Sequence, residues 1–334
     1  MTSLLPSCAA SSSAFYQAKF FLCKASVTVS ILAVFFGSAA LTRAQTIAPA
    51  FAADYSFVDL GSAPGVPPAY GGLTLLNGAP NTLLLGGLAN GTGGIYSIGV
   101  TRDVAGHING FSGTASLFSA APNIDGGLAY GPGGVLFATG YSTNQLMQIK
   151  PGSASPDRVI DLTAAGVSPS TGSVSFVPAG FPDAGAIRIL SYSSGGFYSG
   201  TLAPDGFGTY DLTNVTLQAT LSGAPEGLTF VPSGSPVFIG TNALVSEYGF
   251  GQIAAYSLDP NGYPIVASRQ NFMTGLTGVE GAFTDPLTGD FLFSTYGGGD
   301  RVIAVRGFAA APEPTSMVLV GLGALALLGR RRRG

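Results

Sequence analysis

Glu226-Gly227-Leu228-Thr229-Phe230-Val231-Pro232 recurs in related form along the chain. Three further copies share its register and end at a proline: 127–132, 172–178 and 280–286. The four prolines are spaced 46, 54 and 54 residues apart. An earlier copy at 71–78 lies 55 residues before the 127–132 copy and has Asn77 in place of the proline. The spacing therefore predicts five units of about fifty residues.

Each unit contains further short apolar segments that are separated by Gly-rich or polar turns. We expect second strands at 82–85, 135–138, 186–190, 237–239 and 291–293. We expect third strands at 94–98, 145–149, 196–199, 252–256 and 301–305. A fourth strand follows in the early units, as at 158–162, whereas the last unit lacks one.

Four-stranded units that repeat at this period are typical of β-propeller blades. The sequence therefore predicts an all-β body with a single propeller of five blades. The segment 55–60 would supply the missing strand of the last blade and close the ring, which removes exposed sheet edges. A six-bladed ring is the alternative if 200–225 or 60–80 contain extra strands, and a β-sandwich or solenoid is the competing architecture.

The charge of the body excludes several partners. Between residues 46 and 311 the chain has 7 basic and 16 acidic residues, a net charge of −9. A body this acidic offers no basic patch for nucleic acid. The two cysteines, Cys8 and Cys23, both precede residue 46, so we expect neither a disulfide framework nor a thiolate metal site in the body.

The N-terminal 44 residues have the pattern of a secretory signal. Lys19 and Lys24 precede the apolar stretch 25–41, and Thr42-Arg43-Ala44 offers a small-x-small site for signal peptidase. We therefore expect a signal helix that is removed on export, leaving 45–310 as the propeller domain. An uncleaved N-terminal anchor is the alternative.

The C-terminal segment 311–334 combines three elements. Pro312-Glu313-Pro314 disfavours helix, the apolar run 317–328 favours it, and the chain then reaches Arg330, Arg331, Arg332 and Arg333. This order resembles the PEP-CTERM sorting signal, a module also labelled an ice-binding protein C-terminal domain. The resemblance implies membrane contact through the short helix, recognition by an exosortase-type sorting enzyme, and delivery through the inner membrane to the envelope, surface or extracellular matrix. A retained C-terminal membrane anchor is the alternative.

Candidate chemistry in the body is sparse. His107, the single histidine, lies in a predicted turn, and the glycine-rich stretches do not form a phosphate loop. Glu226 and Glu280 occupy equivalent positions at the start of innermost strands, and Asp125 lies one residue further out. Oxygen ligands of this kind suit Ca²⁺, and paired carboxylates suit glycoside hydrolysis. Alternatively, these carboxylates cap turns or face a solvent-filled channel.

A second candidate site is aromatic. Four tyrosines follow the second strand in their units, in Ser/Gly-rich loops: Tyr141, Tyr192, Tyr248 and Tyr296. They would form sugar-stacking platforms at one mouth of the channel, or else pack between blades.

In its strand pattern the body resembles the NHL, gluconolactonase-like and WD-type propellers. The leading hypothesis is a non-enzymatic exported propeller, without a cofactor, that binds exopolysaccharide or matrix. The alternative is an extracellular lactonase or glycosidase that uses the channel carboxylates, with Ca²⁺ as its candidate ion. Ice binding is disfavoured because the body has no short-period Thr-x-Thr repeat.

Overall fold

A computed structural model describes residues 44–310, which form 21 strands in five antiparallel sheets. The predicted signal helix and C-terminal helix lie outside these residues, and the predicted domain boundaries stay predictions. The five sheets confirm the five-bladed propeller. The segments 200–225 and 60–80 add no sixth blade, because the first lies mainly in a long hairpin and the second contains a loop, one inner strand of four residues and the ends of two neighbouring strands.

The first two strands of the chain are β1 (Thr46–Ile47) and β2 (Ser56–Gly61). Blade 1 consists of β3–β6: Leu73–Leu76, Ala79–Gly87, Gly94–Arg102 and Ile108–Ala120. Blade 2 consists of β7–β10: Ile124–Tyr130, Leu136–Gly140, Gln145–Ile149 and Arg158–Asp161. Blade 3 consists of β11–β14: Thr171–Phe176, Ile187–Ser191, Gly196–Pro204 and Tyr210–Thr220.

Blade 4 consists of β15–β18, with β1 added at its outer edge: Pro225–Phe230, Asn242–Glu247, Gln252–Ser257 and Gln270–Thr274. Blade 5 consists of β19–β21, with β2 as its fourth strand: Val279–Thr284, Phe291–Thr295 and Val302–Arg306. Three single-turn 3₁₀ helices lie in connections: Pro132–Gly134, Tyr248–Phe250 and Val266–Ser268.

The ring closes as the sequence predicts. In blade 5, β2 pairs antiparallel with β21, so that Phe57 lies opposite Val305 and Val58 opposite Ala304. This confirms that the segment before blade 1 completes the last blade. The two-residue β1 pairs with β18 as well, a contact that its short length did not predict.

One strand prediction is wrong. Residues 237–239 lie in the loop between β15 and β16, where Ile239 is 92% exposed, and the second strand of blade 4 is β16. The apolar triplet resembles a strand, but Phe238 serves instead to pack against Phe51. In β16 the polar side chain of Glu247 is buried, where it accepts hydrogen bonds from Arg269 and Tyr256. Because these hydrogen bonds satisfy the buried carboxylate, the second strand of blade 4 can contain a charged residue. Its sequence is therefore less apolar than that of the loop before it.

Hydrophobic cores lie between neighbouring blades. Between blades 4 and 5, Phe272, Phe291 and Phe293 are fully buried, and Phe51 and Tyr55 of the chain before blade 1 join the same cluster. The N-terminal segment thus contributes to packing as well as to strand pairing.

The inner strands β3, β7, β11, β15 and β19 approach one another closely at the axis. The Gly72 N–H of blade 1 donates to the Asp125 carbonyl oxygen of blade 2 over 2.7 Å. A β-carbon at Gly126 would overlap the carbonyl oxygen of Glu226, and one at Gly172 would overlap that of Pro225. Backbone therefore packs against backbone around the axis.

Hydroxyl groups of second strands link adjacent inner strands. Thr139 Oγ1 accepts a hydrogen bond from the Gly127 N–H of its own blade and donates to the Gly172 carbonyl of blade 3. Between blades 5 and 1 the same bridge uses Ser294, Gly281 and Gly71. Each bridge satisfies buried polar groups on two blades.

The two faces of the propeller carry different connections. One face, here called the tyrosine face, contains the turns between second and third strands and the entries to the inner strands. The opposite face contains the remaining turns and the end of the described chain, where the Ala309 N–H donates to Ser235 Oγ. The chain therefore leaves the propeller on the face opposite the tyrosines.

Candidate functional site

The structure brings the three predicted acidic residues together at the axis. Asp125 in β7, Glu226 in β15 and Glu280 in β19 are 0%, 3% and 1% exposed. One carboxylate oxygen from each lies within 4.8 Å of the other two. We call these residues the carboxylate trio. Their burial differs from the alternative expectation that they face a solvent-filled channel.

Irregular pairing at the start of the inner strands directs the trio inward. The register shifts between Pro225 and Gly227 in β15, and between Val279 and Ala282 in β19, so that Glu226 and Glu280 lie within bulges. The shift in β7 includes Asp125. A β-bulge re-aims a side chain relative to the regular pleat. The same device in three blades therefore directs three carboxyl groups toward one point.

Burial perturbs the protonation of the trio. Loss of hydration raises the pKa of Asp125 to about 7, although the carboxyl groups of Glu280 and Glu226, and then the Asn90 side chain and the Gly126 N–H, partly oppose that rise. The pKa values of Glu226 and Glu280 are also raised well above their usual range, by burial first and by repulsion from Asp125 second. Burial and the proximity of like charges both favour the protonated carboxyl group.

Several oxygens of the trio have no hydrogen-bond partner. Among residues 44–310, no donor reaches hydrogen-bonding geometry for either Asp125 oxygen, for Glu226 Oε2 or for Glu280 Oε2. Buried polar atoms in native proteins are nearly always paired. The trio therefore has unused capacity for a proton or a cation.

The four predicted tyrosines form an arc of edge-to-face ring contacts. Ring centroids are 5.6 Å apart for Tyr141 and Tyr192, 5.8 Å for Tyr192 and Tyr248, and 6.5 Å for Tyr248 and Tyr296. The corresponding interplanar angles are 76°, 76° and 60°. Such T-shaped contacts are favourable for aromatic rings. We call these residues the tyrosine arc, and all four are half-buried.

One repeated backbone contact fixes each tyrosine above its own inner strand. The Tyr141 N–H donates to the Asn123 carbonyl, two residues before Asp125. The equivalent bonds run from Tyr192 to Ser170, from Tyr248 to Ala224 and from Tyr296 to Gly278. The last two acceptors lie two residues before Glu226 and Glu280. The arc and the trio are therefore successive layers of the same blades.

Blade 1 breaks the arc. Its equivalent N–H belongs to Ala89 and donates to the Ala69 carbonyl. The small side chain leaves the fifth place without an aromatic ring, and Asn90 follows it as an exposed residue in the left-handed region, at φ 60°. This gap is the part of the site that the sequence pattern did not predict.

A groove of about 540 Å³ opens beside the arc. Tyr248 and Tyr296 line it together with Phe250, Leu276 and Thr277, and glycines form the rest of its wall. Phe250 is 56% exposed and was not predicted as a site residue. The groove therefore offers three aromatic side chains to a ligand.

His107 lies elsewhere, in the turn between β5 and β6 on the opposite face. Its Nδ1 is 2.8 Å from Asp290 Oδ2, and Asp290 is fully buried. The structure thus places the single histidine in a turn, in contact with a neighbouring blade.

Residues 310–333 match the family model of the PEP-CTERM protein-sorting motif. The chain carries a PEP-CTERM sorting motif. This motif implies recognition by an exosortase, a membrane sorting enzyme, and export through the membrane to the cell surface. No helix within residues 44–310 has the length and apolar character needed to cross a membrane. The predicted PEP-CTERM helix lies beyond that range.

The PEP-CTERM match covers only the tail, and comparison with curated proteins finds no match to the sequence. Among solved structures, a candidate gluconolactonase is 16% identical, with 80% of this chain and 87% of that chain covered and a TM-score of 0.42. A glucose dehydrogenase is 13% identical, with 75% of this chain and 98% of that chain covered and a TM-score of 0.42. For a candidate phosphatase from Bacteroides thetaiotaomicron the identity is 12%, the coverage 71% of this chain and 60% of that chain, and the TM-score 0.42. The chain thus spans three fifths of the last protein. The propeller assignment itself rests on the strand pairing.

Proposed function

We propose that the protein is a non-enzymatic envelope propeller that binds exopolysaccharide or a related matrix glycan at the tyrosine arc. The observation that carries this proposal is the continuous edge-to-face arc of four tyrosines, next to an open groove lined by aromatic residues. Aromatic faces stack against the apolar faces of sugar rings, while phenol hydroxyls stay available for hydrogen bonds. The groove volume falls within the range of ligand pockets, roughly 300–1,000 Å³.

Replacement of Tyr248 by Leu should weaken glycan binding. Tyr248 contacts two neighbouring tyrosines and also lines the groove, so its loss removes a stacking platform and an arc contact. We expect affinity to fall by roughly three- to tenfold. Affinity electrophoresis of the full-length protein through gels that contain the host's own exopolysaccharide measures the effect.

Tyr263→Leu is the matched control, since Tyr263 is a half-buried tyrosine in the turn after β17 on the opposite face. Tyr248→Phe should bind nearly as well as the wild type, because it keeps the ring. Equal losses in Tyr248→Leu and Tyr263→Leu, or no retardation of the wild type, would contradict the binding proposal.

We also propose that the PEP-CTERM segment is cut near Pro312-Glu313-Pro314 after export. The apolar run 317–328 is about 18 Å long as a helix, against a hydrocarbon core of about 30 Å, which suits a transient membrane segment better than a permanent anchor. Intact-mass measurement on envelope and medium fractions of the native host should find a species that begins near Gln45 and lacks the four arginines. A full-length C-terminus retained in the inner membrane would instead support the tail-anchor alternative.

The second candidate function is an extracellular lactonase or glycosidase. It is favoured by the carboxylate trio, whose unpartnered oxygens suit a hard cation such as Ca²⁺. Asp125, Glu226 and Glu280 would hold the ion, which would polarise a substrate oxygen. Glu226→Gln should then abolish turnover of lactone or glycan substrates, and unchanged turnover would remove this candidate.

A further inference from the structure

We propose that the face opposite the tyrosines docks onto a lipid membrane surface, with apolar turns of three blades inserted among the lipid headgroups. This inference is independent of the glycan-binding proposal, because it concerns the other end of the propeller. It follows from the position of the exposed apolar side chains, from the hydrogen bonds within their turns, and from the point at which the chain leaves the propeller.

The most exposed apolar side chains lie on the opposite face. Within residues 44–310, three large apolar side chains are at least 81% exposed: Val104, Phe207 and Ile239. They belong to the turns β5–β6, β13–β14 and β15–β16, and therefore to blades 1, 3 and 4. Turns of the tyrosine face hold two exposed large apolar residues, Leu88 and Phe250, at 38% and 56%. Single apolar side chains are common on protein surfaces, but their concentration on one face indicates a contact surface.

Two of these turns already satisfy their backbone N–H groups. In the blade 1 turn, Asp103 Oδ1 accepts hydrogen bonds from the Ala105 and His107 N–H groups. In the blade 3 turn, Asp205 Oδ1 accepts two equivalent bonds, one of them from the Phe207 N–H. An N–H group that leaves water without a partner costs free energy. These turns avoid that cost when they enter a lipid interface.

The aspartates of the same two turns are paired with arginines. Asp103 Oδ2 lies 3.2 Å from Arg306 Nη1, and Asp205 Oδ2 lies 2.5 Å from Arg158 Nη1. The body as a whole nevertheless has 7 basic and 16 acidic residues, so anionic lipid would repel it. Apolar contacts with zwitterionic lipid, rather than charge, therefore provide the attraction.

The chain leaves the propeller beside one of the three turns. The Ala309 N–H donates to Ser235 Oγ, in the turn that also carries Ile239. Six residues then separate Ala310 from the apolar run 317–328 of the sorting motif. A chain of that length spans at most about 25 Å. A sorting segment that lies in the membrane therefore keeps the opposite face close to the lipid, where its apolar turns can insert.

The test uses the absence of tryptophan from the sequence, since one introduced tryptophan then reports on its own position. Full-length protein, purified in detergent from membranes of the native host, is reconstituted into phosphatidylcholine liposomes with or without brominated lipid, which quenches tryptophan on contact. Val104→Trp, Phe207→Trp and Ile239→Trp report on the opposite face. We expect brominated lipid to reduce their emission at least about twofold.

Phe250→Trp is the matched control, because Phe250 is an exposed aromatic residue on the tyrosine face. Its emission should be the same with both lipids, and circular dichroism checks that all four variants fold. Equal quenching of Phe250→Trp would overturn the inference, since the propeller would then have no fixed orientation.

Two further results would also overturn it. Quenching of Ile239→Trp alone would show that only the tail brings the chain exit to the lipid. Absence of quenching, with the tryptophans shielded from the aqueous quencher acrylamide, would indicate a protein partner or a second copy on this face. Each of these results leaves the glycan-binding proposal for the tyrosine arc intact.

Discussion

In cation-free buffer, the free energy of unfolding should fall by about 4 kcal/mol as the pH rises from about 4 to above 7. The cause is Asp125, whose pKa rises from an ordinary 3.8 to about 7 on folding. Below pH 4 both states hold the proton, so the group does not affect stability. Between these pH values the unfolded state releases the proton and the folded state keeps it, so the unfolded state is favoured. Glu226 and Glu280 act in the same direction.

Urea unfolding of the full-length protein, followed by circular dichroism across this pH range, measures how the free energy of unfolding changes with pH. Asp125→Asn removes the titrating group, and we expect the variant to be more stable than the wild type at neutral pH and to have a flatter profile. Asp54→Asn, a change at an exposed carboxylate, serves as the control and should leave the profile as it is. A wild-type profile without any decline between pH 4 and 7 would refute the predicted protonation of the trio.

Addition of Ca²⁺ distinguishes a trio that only holds protons from a trio that binds a cation. An ion that binds only the folded state stabilises it by an amount that grows with ion concentration. If the trio holds Ca²⁺, its addition at neutral pH should restore the lost stability in the wild type but not in Asp125→Asn. An identical response of both proteins would contradict a calcium site at the trio.

Gly126→Ala should destabilise the protein by roughly 3 kcal/mol or more. The new β-carbon would overlap the carbonyl oxygen of Glu226, a backbone atom of an inner strand that is itself held in its sheet. Neither partner can move without disturbing the axis, so we expect loss of cooperative unfolding or failure to accumulate.

Gly110→Ala is the matched control, because Gly110 also lies in a strand of the same protein. There the nearest atom to a β-carbon is Thr101 Oγ1 at 3.1 Å, the end of a side chain that can rotate. We expect the free energy of unfolding to change by less than about 1 kcal/mol. Similar behaviour of the two variants in denaturant titration would show that the axis is more compliant than its packing indicates.

The fold was predictable because each blade repeats one sequence register. Proline and glycine turns recur about every fifty residues, and the strand at 55–60 was needed to complete the last blade. The failure at 237–239 has a local cause, since three apolar residues in a loop resemble a strand unless their packing against Phe51 is known. The pairing of β1 is two residues long and leaves no pattern in the sequence.

The candidate site was predictable in part for the same reason. The register placed Glu226 and Glu280 at equivalent points of inner strands, and it placed the tyrosines at equivalent loops. Register alone does not reveal bulges, so the convergence and complete burial of the trio could not be derived. The role of Ala89 was also hidden, because an alanine in a loop gives no signal until the backbone contact shared with the tyrosines is seen.

The exit of the chain has a consequence for presentation at the cell surface. The Ala309 N–H is held by Ser235 on the face opposite the arc, and the sorting motif follows directly in the sequence. A copy tethered through its C-terminus would therefore turn the tyrosine face toward the surrounding medium. Many such copies side by side would present a layer of tyrosine faces, and the matrix glycan proposed to bind there would be held away from the cell.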